Sequence, residues 1–143
     1  MTSRVILASI AMLALSACGL QPYRMPPNTP NARINVASAQ STWICKTNLP
    51  AQRLVPDQQG YAQIPAGESL TVGASFFASG YNVNYSCYPR SSFVPEVGKA
   101  YYLDFQIDSE HCTAFVYKEA PEKPAGLDFE NSFHPGGYCA AAS

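Results

Sequence analysis

The chain is poor in charge, poor in histidine, and broken too often for long helices. Charged side chains make up 13% of its 143 residues while aromatics reach 12%, a balance that favours strands and turns over solvated helices. Twelve prolines and nine glycines interrupt nearly every window longer than about a dozen residues, and the apolar periods are twofold rather than 3.6. The two histidines, His111 and His134, stand in no H-E-x-x-H or other metal-ligand spacing. Each reads as a loop residue. G-x-S-x-G, S-x-x-K and P-loop motifs are missing as well, so no catalytic residue, metal site or cofactor is predicted. A basic surplus is also lacking. Without residues 1–17, eight Lys and Arg face ten Asp and Glu, which leaves nothing to neutralise a phosphate backbone and argues against a nucleic-acid partner.

What is present begins with an address. Arg4 is a short positive region, residues 5–15 are uncharged and apolar but for Ser9, and Leu15-Ser16-Ala17 leads into Cys18, the layout of a signal peptide. The apolar run is shorter than the roughly 20 residues that a membrane span requires. Leu-Ser-Ala-Cys resembles the bacterial lipobox, which implies a diacylglyceryl group on the Cys18 thiol and cleavage before it. Cys18 would then be the first residue of a protein anchored to a membrane by its lipid. Gly19 is not the Asp that resembles an inner-membrane retention signal, so the expected place is the outer membrane, facing the periplasm.

Cysteine usage agrees with that compartment. Setting Cys18 aside leaves Cys45, Cys87, Cys112 and Cys139, a pairing number in an oxidising periplasm, with three connectivities open. A four-thiolate zinc site is the rival. Its ligands usually come in close pairs, whereas these cysteines are 42, 25 and 27 positions apart.

The organisation expected is a signal peptide over 1–17, a lipidated Cys18 with a Pro-rich tether over 18–31, and one domain over 32–143. Prolines 22, 26, 27 and 30 bar helix and sheet pairing, so the tether reads as an extended spacer at about 3.1 Å per residue. A docking motif for an aromatic groove is its lesser reading. Short strands follow around Ile34 and Val36, at 43–45, as a piece at 53–55, and at 61–64. Pro65-Ala66-Gly67-Glu68 is a turn, after which Leu70, Val72, Ala74 and Phe76 share one face.

The clearest alternation runs from Phe76 to Lys118. Tyr81, Val83, Tyr85 and Cys87 alternate with Asn82, Asn84 and Ser86, which predicts an inward apolar face. Tyr101, Leu103, Phe105 and Ile107 do the same, and after a turn at 108–111 the phase returns with Cys112, Ala114 and Val116, a hairpin. Placing Cys87 and Cys112 on inward phases of neighbouring strands favours their pairing and leaves Cys45 to Cys139. Each bridge would contribute roughly 2 to 4 kcal/mol. The tail from Glu119 onward is expected to pack as irregular chain pinned by Cys139. The fold class is therefore all-β: a single small β-sandwich or barrel-like domain stapled by two disulfides.

Ile64-Pro65-Ala66-Gly67, Tyr85-Ser86-Cys87, the run Phe93-Val94-Pro95-Glu96-Val97-Gly98-Lys99-Ala100-Tyr101, Cys112 and Val116-Tyr117 resemble a set of small proteobacterial lipoproteins with a disulfide-bonded β domain. The resemblance covers roughly residues 43–130. It implies a compact β domain on the envelope and transfers no catalytic or binding residue.

Three features bear on function. Tyr81, Tyr85, Tyr88, Tyr101, Tyr102 and Tyr117, with Asn82 and Asn84, are side chains that bind glycans and protein partners, although core packing uses the same letters. Tyr88, Tyr102 and Tyr117 fall on the outward phase and are the candidates for a binding surface. Asp108, Glu110 and His111 read either as a polar turn or as a cation loop. Glu119, Glu122, Asp128 and Glu130 read as a solvated acidic tail or a face for a basic partner. The expectation is a membrane-anchored protein that binds an envelope protein partner and is not an enzyme. Two alternatives stand beside it. An inhibitor of a cell-wall hydrolase would use a protruding loop, with 108–111 as candidate. A hydrolase or metal-dependent enzyme would need a deep pocket of convergent ionisable groups.

Overall fold

Twofold alternation along the chain resolves into two stacked sheets and a projecting ribbon. The computed structural model describes residues 19–108 and 111–141; the signal peptide, Cys18 and Glu110 lie outside them. The first sheet has the order β11 (Leu127–Phe129), β10 (Cys112–Glu119), β9 (Ala100–Ile107), β1 (Asn31–Asn35) and β4 (Tyr61–Pro65). β1 runs parallel to β9 and antiparallel to β4. The second has the order β12 (His134–Pro135), β8 (Arg90–Phe93), β5 (Leu70–Ala74), β2 (Thr42–Lys46) and β3 (Gln52–Arg53), with every neighbouring pair antiparallel. β6 (Phe76–Gly80) and β7 (Val83–Cys87) pair only with each other. Among the described residues there is no helix. The protein is all-β, as its composition and periodicity predict.

The core lies between the inner faces. Ile34, Ile64, Tyr101, Leu103 and Val116 of the first sheet meet Ile44, Leu70, Val72 and Phe93 of the second, all buried. The Phe93 and Tyr101 rings join the two layers edge to face at 5.0 Å. β5 is buried along its whole length, so its outer face is covered as well. Gly73 lies under the Trp43 indole, and Gly137 of the tail packs on Thr71. The Cys45–Cys139 bridge, with Cα atoms 5.7 Å apart, pins the tail across that outer face.

Where the sandwich closes, two details depart from the expected organisation. The tail beyond Glu119 supplies β11 and β12, an edge strand for each sheet, rather than irregular chain alone. Its short strands were hidden by Pro and Gly, which are tolerated at sheet edges. The segment before Asn31 does not stand clear as a spacer: Arg53 N–H donates to Gln21 O and Tyr23 N–H to Arg53 O, both at 2.8 Å, and the Tyr23 ring packs on the core. Pro22 lacks a donor, but Gln21 and Tyr23 on either side of it keep their backbone groups, and those make the pairing.

Candidate functional site

The ribbon is built from the stretch in which the sequence carries no charge at all. No Asp, Glu, Lys or Arg occurs between Glu68 and Arg90. β5 ends at Ala74, the chain turns at Ser75, and β6 runs out beyond the sheet before Tyr81 and Asn82 reverse it into β7. Asn82 takes a left-handed conformation, φ 61°, which Asn tolerates better than most side chains. The register pairs Phe76 with Cys87, Ala78 with Tyr85 and Gly80 with Val83.

Tyr81, Val83 and Tyr85 do not point into the core. They are 95, 46 and 59% exposed, and Phe77 and Tyr88 are 68 and 55% exposed. Alternation separates the two faces of a strand but does not say what lies over either one. Here no sheet does. The ribbon is fixed only at its base. Phe76 packs edge to face on Phe105 at 4.9 Å, and Cys87 is bridged to Cys112 with Cα atoms 6.2 Å apart. Both cysteine pairs are the ones expected. Cys87 and Cys112 are not on neighbouring strands, however: β7 pairs with β6 alone, and the bridge ties the ribbon to the first sheet.

Between the ribbon and the end of the β9–β10 hairpin lies an open cleft of about 420 Å³. Ala78, Tyr85 and Ser86 line one side, Ile107, Asp108 and His111 the other, with the disulfide at the base. Asp108 Oδ1 accepts the His111 N–H at 2.8 Å, and the Asp108 N–H donates to His111 O at 2.9 Å, so the hairpin loop is closed by its own bonds. The cleft offers a phenol, a hydroxyl, a carboxylate, an imidazole and apolar surface. That set suits a ligand with both hydrogen-bonding groups and a face on which a ring can lie.

The three tyrosines expected to form one outer surface are divided. Tyr102 and Tyr117 are cross-strand partners on β9 and β10, half-buried. Tyr117 tilts against Phe129 at 5.4 Å and stacks with Phe115 at 6.4 Å. Tyr88 stands at the ribbon's base, edge to face with Phe77 at 5.8 Å. The tail's acids are likewise dispersed. Glu119 accepts the Tyr61 hydroxyl at 2.5 Å, Asp128 pairs with Lys123 at 2.7 Å, and Glu130 is buried with its Oε1 bound to Ser132. Among the described residues no group of three or more His, Cys, Asp or Glu is placed to hold a metal ion.

Against models of known families, against curated proteins and against solved structures, the chain finds no match. The site must therefore be read from its own chemistry. Sequence reasoning assigned Tyr81, Val83 and Tyr85 to the core although one signal pointed outward. A run of Tyr, Asn, Ser and Gly without Leu or Ile has the composition of binding loops, where rigid aromatics and adaptable polar groups are combined.

Proposed function

We propose that the protein is a lipid-anchored envelope protein of the outer membrane, facing the periplasm, that acts by binding an uncharged partner surface through the β6–β7 ribbon. The observation that carries this reading is the ribbon itself: an uncharged hairpin presenting Phe77, Tyr81, Tyr85 and Tyr88 to solvent while bridged at its base. Exposed aromatics in a rigid frame lose little conformational entropy on binding and supply large contact area. Both ribbon edges carry unpaired backbone groups with no charge or bulge to discourage pairing, which is how a sheet edge accepts a strand from a partner. Binding rather than catalysis is favoured because what the ribbon exposes is aromatic ring surface.

The protrusion also favours a second reading, inhibition of a cell-wall hydrolase by insertion of the ribbon into its cleft. One experiment separates the two. Native protein, a Cys18→Ala form and a Tyr81→Ala/Tyr85→Ala form are crosslinked in intact envelopes and recovered. A defined envelope protein lost with both variants supports anchored association. A hydrolase captured by the native and Cys18→Ala forms, and inhibited by them, supports the second reading. Recovery unaffected by the ribbon substitutions refutes the ribbon as the binding surface.

A further inference from the structure

The N-terminal segment fixes which end of the sandwich meets the membrane. Pro22 bridges Arg53 in parallel, so from Pro22 toward the N-terminus the chain runs in the direction of Ala51, Pro50 and the 47–50 turn that joins β2 to β3. Gly19 and Leu20 alone separate the docked Gln21 from Cys18. Three Cα steps span at most about 11 Å. A lipid on Cys18 therefore holds the docked Gln21 within about 11 Å of its anchor, a reach little longer than the headgroup layer, which is about 5 to 8 Å thick on each side of the hydrocarbon.

The surface at that end is suited to such a position. Leu20, Leu49 and Tyr138 are 38, 52 and 67% exposed. Leu49 and Tyr138 are locked to each other's neighbourhood: Ala140 N–H donates to Leu49 O at 3.0 Å, Cys45 Sγ lies 3.5 Å from Tyr138 O, and Cys139 is bridged to Cys45. Arg24 and Arg53 are exposed on the docked segment and its partner strand. Leucines, a tyrosine and arginines together are the side chains that settle at a membrane interface, apolar bodies inward and polar tips at the headgroups.

The ribbon lies at the other end. β5 pairs Leu70 with Lys46 and Ala74 with Thr42, and the chain leaves for β6 just beyond Ala74. The 47–50 turn and the ribbon are thus at opposite ends of β2. We propose that the end bearing Leu20, Leu49 and Tyr138 rests on the bilayer leaflet that holds Cys18, and that the β6–β7 ribbon projects away from it. The occupant of this surface is the lipid headgroup layer, because the two residues between Cys18 and Gln21 keep this end within about 11 Å of the anchor. This orientation rests on the lipidation of Cys18.

The test uses the full lipoprotein purified from membranes and reconstituted in phosphatidylethanolamine and phosphatidylglycerol vesicles with brominated acyl chains, which quench tryptophan at the interface. Trp43 is 9% exposed and sets the baseline. Leu49→Trp is expected to lose about half its added emission in brominated vesicles relative to unbrominated ones, as an interfacial side chain does. Tyr81→Trp is expected to lose none. Mass spectrometry of the N-terminal peptide reads the lipid independently. Equal emission of Leu49→Trp in both vesicles, with the lipid found on Cys18, overturns the orientation while leaving the anchor. Quenching of Tyr81→Trp in place of Leu49→Trp overturns it in the opposite sense. An unmodified Cys18 overturns the anchor and the orientation with it.

Discussion

Cys45 and Cys139 join the middle of the second sheet to a tail 94 residues later, and their bridge is what lays that tail over the outer face of β5. Closing so long a loop restricts the unfolded chain strongly, by about 4 to 5 kcal/mol on the loop-entropy relation. Cys87–Cys112 closes 25 residues and on the same relation contributes about 3.5 kcal/mol. Urea unfolding should therefore show a larger loss for C45A/C139A than for C87A/C112A. The second variant should also release the ribbon: its β6 and β7 amides are expected to exchange hydrogen faster than those of the sandwich. Ribbon amides as protected as the sheet amides would refute the account of the ribbon as held only at its base.

Gly73 is required by its neighbours rather than by its backbone. A Cβ there would meet the Trp43 indole, with Cε2 at 2.8 Å, and Pro89 O at 2.7 Å. Gly73→Ala should cost about 1 to 3 kcal/mol through overpacking and shift Trp43 emission as the indole is displaced. An unchanged spectrum and midpoint would show that the outer face is looser than described.

Ser91 closes the sandwich on one side. It is fully buried on β8, and its hydroxyl donates to Ala114 O of β10 at 2.5 Å, across the two sheets. Ser91→Ala leaves that carbonyl without this partner in a buried place and should cost about 1 to 3 kcal/mol, read from the urea midpoint. A Ser91→Thr form keeps the hydroxyl, and recovery of part of the loss would distinguish the bond from simple packing.

Stability should fall in alkaline solution. Burial holds the Tyr101 phenol above its ordinary value of 10.0, and at Tyr61 the hydrogen bond to Glu119, then burial, act in the same direction. The folded state keeps these protons more tightly than the unfolded one, so their contribution is complete below about pH 10 and is lost as pH rises through the raised folded values. Urea midpoints should hold from about pH 8 to the approach of pH 10 and decline above it, and Tyr101→Phe should decline less steeply. Parallel profiles for the two proteins would exclude Tyr101 as the source.

Much of the fold was legible before any coordinates. Ile34, Leu70, Val72, Leu103, Ala114 and Val116 fall on inward phases and are buried, because a strand's twofold period assigns faces by residue type alone. The 108–111 hairpin was readable as local pattern and the number of disulfides as a count, although Cys87 and Cys112 join strands that are not neighbours. The site was less legible. Tyr101 and Tyr85 occupy equivalent phases of similar strands, yet one is fully buried and the other 59% exposed.

The sequence by itself determined that this is an all-β chain, where its turns fall, and that four cysteines besides Cys18 are left to form two bridges, since these depend on period, proline and glycine, and parity. Tertiary structure alone decided what covers each face. Tyr101 is buried because Phe93, on the other sheet, lies over it; Tyr85 is exposed because the chain leaves the second sheet at Ala74 and the ribbon it forms pairs with neither sheet. In the same way Gln21 and Tyr23 dock because the edge of β3 is free to receive them. Burial is a property of pairs of segments that the fold brings face to face, and no pattern within one segment carries it.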